Sequence, residues 1–210
     1  ALGDMACHTT NLAFMALKLG LPTRVSAENG EINSETYPAW ATITYEFPAR
    51  GSLPPVKLIW TEGAKDGKRN LPPAQLFPDG YKFSDSGSLF VGSKAKLYSP
   101  SDNGADQILW PSRAFKSFQA PPPSLPRIKG SHQEDVDHKQ EWVEAIRAGK
   151  PAHALSNFEY SSTLTESMLL GNVAVRSGEA IDYDPAAGHI TNSSTASQYL
   201  KPYFRKGWEI

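Results

Sequence analysis

Two titratable side chains stand four residues apart near the start of the chain. They are Asp4 and His8 in "GDMACHTTN", with Asn11 three residues further on. At helical spacing all three lie on one face. A carboxylate beside an imidazole can accept a hydrogen bond from one ring N–H, which fixes the tautomer and leaves the other nitrogen as a base. An imidazole held in this way is suited to taking a hydroxyl proton. The bland role for the same residues is an aspartate that satisfies the helix dipole and a histidine hydrogen-bonded in a core. The chemical reading rests on cost: the run "LAFMALKL" that follows has hardly any polar face. A buried unpaired charge there would cost several kcal/mol, so the two groups are expected to satisfy each other.

Other groupings carry less. No G-x-G-x-x-G, H-E-x-x-H or G-x-S-x-G occurs. "GAKDGKR" (63–69) faintly resembles a phosphate loop, but the spacing is short and no Ser or Thr follows Lys68. "HQEDVDH" offers His132, Glu134, Asp135, Asp137 and His138, and reads as the solvated acidic first turn of a helix rather than a metal site. No metal is expected. Asn192-Ser193-Ser194 satisfies the glycosylation pattern and reads as loop chemistry. Trp40, Trp60, Trp110, Trp142 and Trp208, with eight tyrosines, could line a sugar site. In strands such residues more often build cores and interfaces, because they bury the most surface.

The elements that must position these groups follow from pattern. Residues 3–19 read as a helix stopped at Gly20-Leu21-Pro22. "TRVSAEN" is a strand, "AWATITYEF" (39–47) a clearer one, and "VKLIWTE" (56–62) its hairpin partner. Residues 63–86 read as a long excursion, and "SLFVGSKAKLYS" (88–99) as two short strands about Gly92-Ser93. Residues 100–130, with "APPPSLPRIKG", read as an extended connection with little regular structure. A helix is predicted over 133–148, with Val136, Trp142, Val143 and Ile146 as its apolar stripe. A second spans 161–177, capped by Ser161 or Ser162 and stopped by Gly178, and "AIDYD" is a late strand.

Strands and helices are therefore segregated along the chain, which indicates an α+β fold: an open, predominantly antiparallel sheet with helices on one face. With 210 residues a sizeable core is available. A net charge of −1 offers nothing to attract nucleic acid or an acidic membrane surface. Cys7 is the only cysteine, so no internal disulfide forms, and no apolar run is long enough to span a bilayer.

"GDMACHTTN" resembles the D-x-G-x-H-x-x-D signature that opens the C-terminal domain of the glucose–fructose oxidoreductase / inositol dehydrogenase (Gfo/Idh/MocA) family. The likeness extends over nearly the whole chain, through "LKLGLPTRVSAE", "ETYPAWATITYEFPARG", "NFEYSSTLTESMLLGNVAVRSG" and "QYLKPYFRKGWEI". These segments are similar to a bacterial branch of NAD-dependent dehydrogenases. The resemblance implies that residues 1–210 form the substrate-binding and oligomerisation domain of a two-domain oxidoreductase. Its NAD or NADP would be held by an N-terminal Rossmann domain absent from this sequence. "ALGDMACH" accordingly reads as the interior of a longer chain, and the isolated fragment is expected to be inactive. Gly149-Lys150-Pro151 looks like the family's Glu-Lys-Pro motif but sits in the wrong half. The resemblance further implies a sugar or cyclitol substrate and a homo-oligomer formed through the open sheet face. His8 would move the hydroxyl proton, Asp4 would orient it and touch substrate, and Asn11 would bind substrate. Ala6 replaces the usual Gly and Asn11 the commoner Asp, which keeps hydrogen bonding but loses a charge. Two alternatives stand beside this reading. One is a non-catalytic carbohydrate-binding or assembly module; the other is a family variant that cleaves a glycosidic bond through transient oxidation by NAD.

Overall fold

The computed structural model describes residues 2–126, 134–201 and 203–208, with residues 134 and 135 by backbone alone. Two short helices, α1 (Leu2–Thr9) and α2 (Asn11–Ala16), lead into strands β1 (Arg24–Asn29), β2 (Trp40–Phe47), β3 (Val56–Lys65) and β4 (Lys68–Arg69). Strands β5 (Ser88–Val91), β6 (Lys96–Ser99) and β7 (Ile108–Trp110) follow. Helices α3 (Glu134–Ala148) and α4 (Phe158–Ser177), strands β8 (Ile181–Asp184) and β9 (His189–Ile190), and the short helix α5 (Ser194–Ser197) complete the order. A six-stranded sheet runs β4-β3-β2-β1-β8-β9, and a smaller one runs β5-β6-β7. Every strand pair among the described residues is antiparallel. The fold is α+β, with an open antiparallel sheet and helices packed on one face.

The alternation in "WATITYEF" explains that arrangement, because successive strand residues point to opposite faces. Ala41, Ile43, Tyr45 and Phe47 are buried, and their partners Trp60, Leu58 and Val56 on β3 continue the same face. Against it lies α4, through Leu164, Met168, Leu170, Val173, Ala174 and Val175. The approach is close at one point: a Cβ on Gly171 would sit 2.0 Å from the Tyr45 hydroxyl oxygen. That hydroxyl donates to the Met168 carbonyl at 2.9 Å, so the buried phenol is satisfied. The opposite face carries Ser26, Thr42, Thr44 and Thr61, with the ion pairs Arg24–Asp182, Lys57–Glu46 and Lys65–Glu28 around them.

Several boundaries differ from expectation for local reasons. The predicted helix over 3–19 is broken at Thr10, whose hydroxyl donates to the Ala6 carbonyl at 2.6 Å. Back-bonding of this kind competes with the helical ladder and bends it. The stop falls at Lys18 rather than Gly20: Lys18 takes φ 51°, while Leu19 and Lys18 donate to the Phe14 and Met15 carbonyls. Those are the two bonds of a Schellman ending. Helix α4 starts earlier than predicted because Asn157, not Ser161 or Ser162, caps it by accepting from the Tyr160 amide at 3.1 Å. Gly178 ends it in the left-handed region as expected, at φ 68°.

Residues 100–126 are less irregular than predicted, since Ile108–Trp110 pairs with β6. The apolar stripe of α3 does not face a core: Trp142 and Ile146 are 60% and 62% exposed, while Ala145 is buried. No helix among the described residues is long and apolar enough to cross a membrane.

Candidate functional site

Helix α1 runs antiparallel to α4 and is held along its length by small contacts. A Cβ on Gly3 would lie 3.6 Å from the Asn172 amide nitrogen. One turn on, Cys7 Sγ lies 3.8 Å from Thr165 Oγ1, and the Tyr160 hydroxyl donates to Asn11 Oδ1 at 2.6 Å. Leu2, Ala6 and Thr9 are buried between them. This places Asp4 and His8 on the face of α1 turned away from the core, and both are exposed.

The expected contact between the two is not formed. Among the described residues neither the Asp4 nor the His8 side chain makes a hydrogen bond or ion pair. The cost argument that suggested mutual satisfaction does not apply to them, because solvent already satisfies an exposed charge. Asn11 is set apart from the pair by its bond to Tyr160, whose hydroxyl is pushed up by burial. The structure thus brings Asp4 and His8 to one open face and turns Asn11 toward α4. Sequence reasoning missed Tyr160; Asn157 at the cap of α4 puts it in that helix's first turn, where it packs edge-on against Phe14.

The second sheet flanks the end of α1. Ser88 Oγ on β5 donates to the Thr9 carbonyl at 2.7 Å. The loop at Gly104 closes over Leu12, which a Cβ there would approach to 3.2 Å. On the other side a hollow of about 430 Å³ lies among Phe14, Lys18, Leu125, Leu155 and Tyr160. It begins beside Asn11's partner, and neither Asp4 nor His8 lines it.

The remaining sequence candidates resolve into structural roles. "GAKDGKR" is a hairpin: Lys65 pairs with Lys68 across Asp66-Gly67, both at positive φ (52° and 71°). Asp-Gly suits that two-residue turn, and no helix follows to receive a phosphate. Asn192 accepts from the Asp182 amide and donates to the Ala180 carbonyl, and Ser193 caps α5. Of "HQEDVDH", His132 lies outside the described residues, as do the side chains of Glu134 and Asp135. Among the described residues no three His, Cys, Asp or Glu side chains gather as metal ligands. The tryptophans do not converge: Trp40 lies under Lys65, Trp60 bonds Glu62, Trp110 belongs to the second sheet, and Trp142 and Trp208 are exposed.

Compared with known proteins, the chain matches no family model and no curated protein.

Proposed function

We propose that this chain is the substrate-binding and assembly domain of an NAD(P)-dependent oxidoreductase acting on a hydroxyl of a sugar, sugar derivative or cyclitol. The observation that carries the reading is the shared, partner-free face of α1, where Asp4 and His8 stand exposed four residues apart. A neutral imidazole there can accept the hydroxyl proton at a ring nitrogen and return it in the reverse direction. Asp4, one turn earlier, is within helical reach to accept a hydrogen bond from substrate or from the ring as substrate docks. Catalytic hydrogen bonds often tighten only in the substrate complex, so an unbound pair is compatible with the role.

The chain's own residues do not fit a dinucleotide. The doubly wound crevice that takes a dinucleotide has parallel strands feeding helix N-termini, whereas every strand pair among the described residues is antiparallel. The redox half of the reaction would belong to residues beyond these 210, and the isolated chain is inactive on this reading. Calorimetry of the isolated chain with NAD is expected to show no isotherm; a clear isotherm would overturn this division of labour.

The proton-transfer role is tested in a protein that joins this chain to a dinucleotide-binding domain. There His8→Ala should lower kcat by about 10²–10⁴-fold with NAD affinity unchanged. Unchanged turnover would sink the assignment.

A second reading, a non-catalytic carbohydrate-binding module on the same scaffold, is favoured by Asn11, which is held by Tyr160 instead of facing substrate. It predicts sugar binding that survives His8→Ala with no turnover in any joined protein. On either reading the open sheet face, with Thr42, Thr44 and Ile59, is the proposed surface for assembly with a second copy.

A further inference from the structure

The second sheet has a core of a different kind from the first. Its strands are four, four and three residues long, too short to supply one by alternation. Phe77, Tyr98 and Trp110 fill the space, with Tyr81 and Phe83 against them. Tyr98 stacks on Trp110 at 5.7 Å and 13°, and Phe77 meets both edge-on. Beside this cluster, between the β5–β6 turn and the segment after β7, opens a cleft of about 890 Å³. Lys94, Lys96 and Arg113 line it, and no carboxylate does. Lys96 is fixed, donating from Nζ to the Leu76 carbonyl at 2.6 Å. Lys94 and Arg113 are exposed and make no hydrogen bond or ion pair among the described residues.

We propose that this cleft binds an acidic saccharide. Cations unopposed on a concave wall concentrate the field there and select a negative ligand. Arg113 offers a planar fork that matches a carboxylate bidentately, and Lys94 adds a point charge. The floor distinguishes a sugar from a nucleobase. Phe77 and Trp110 are only 8% and 9% exposed, packed edge-on against each other, so these two rings cannot sandwich a flat base between them. A pyranose needs only apolar patches for its C–H groups and hydroxyl partners around them, which Tyr81, Ser93 and Ser112 supply. The site is separate from Asp4 and His8. The second sheet touches α1 at Ser88, and the cleft begins at Gly92, about 13 Å along the strand at ~3.3 Å per residue.

The test titrates the chain with digalacturonate and with its neutral counterpart, in which hydroxymethyl groups replace both carboxylates. Saturable binding of the acid is expected at low salt, with the neutral sugar about tenfold weaker or more, the equivalent of one charge-assisted contact. Lys94→Gln combined with Arg113→Gln should lose about tenfold with an unchanged melting temperature, while Lys150→Gln, an exposed lysine outside the cleft, binds as the unaltered chain does. Equal affinity for the neutral sugar, adenosine monophosphate binding as tightly as the acid, or an unaffected double variant would each overturn the proposal. None of these outcomes depends on turnover, so the cleft and the proton-transfer role stand or fall apart.

Discussion

His8 and Tyr183 are placed in opposite ways by the same α+β frame. His8 stands in solvent with both ring nitrogens available. Tyr183 is buried on β8 and donates to Glu166 Oε1 at 2.5 Å; burial first, and then the Glu166 carboxylate, push its phenol up to about 12. In the unfolded chain the same group ionises near pH 10. A raised folded value means the folded state holds the proton more tightly. Its contribution is therefore complete below pH 10 and is lost as pH rises toward 12. Tyr183→Phe removes both the hydrogen bond and the titration. The urea midpoint of the unaltered chain should exceed that of Tyr183→Phe by a constant margin up to about pH 10 and by a shrinking one above it. A margin constant to pH 12 would show that neither burial nor Glu166 raises the phenol in the folded chain. Spacing alone placed Asp4 and His8 on one face, and the helix does so. Their exposure was not legible, because it depends on which side of α1 the residues of α4, more than 150 positions away, come to cover.

Among the elements, legibility follows how local the determining interactions are. Strand β2 was readable because its alternation is written in eight consecutive residues, and "SLFVGSKAKLYS" because a turn sits in its middle. The aromatic core of the second sheet was not, since Phe77, Tyr98 and Trp110 come from separate segments with no shared period. Helix α3 misleads for a related reason: its stripe predicts a core on that side, whereas Trp142 and Ile146 face out. The end of α2 is a local feature that pattern rules misplace, because a lysine occupies the position that glycine usually fills. A side chain at positive φ costs roughly 1 kcal/mol that glycine avoids. Lys18→Gly should then raise the urea midpoint by the equivalent of about 0.5–1 kcal/mol, the Schellman bonds being retained. Lys18→Ala keeps the Cβ and should give no such gain. Equal gains from both would mean that the side chain, and not the backbone, limits this turn.

At the scale of the molecule, one face of the large sheet is closed by α4 and the other is left open, and the two are built from opposite chemistry. The closed face is aliphatic and aromatic. The open face sets Ser26, Thr42, Thr44 and Thr61 at its centre, with Ile59 57% exposed beside Thr44. Six of its charges are matched within the chain, at Arg24–Asp182, Lys57–Glu46 and Lys65–Glu28. A surface whose charges pair internally can meet its own copy across a two-fold axis without opposing like charges. Short hydroxyl-bearing side chains let two such sheets approach at the ~10 Å spacing of packed sheets. Sedimentation of the chain at tens of micromolar is therefore expected to show a dimer. Thr44→Arg, which sets unpaired like charges against each other at the centre, should give monomers with an unchanged melting transition at low concentration. A monomer in the unaltered chain would overturn the assembly, and a dimer indifferent to Thr44→Arg but lost on Trp142→Arg would move its surface from the sheet to the outward stripe of α3.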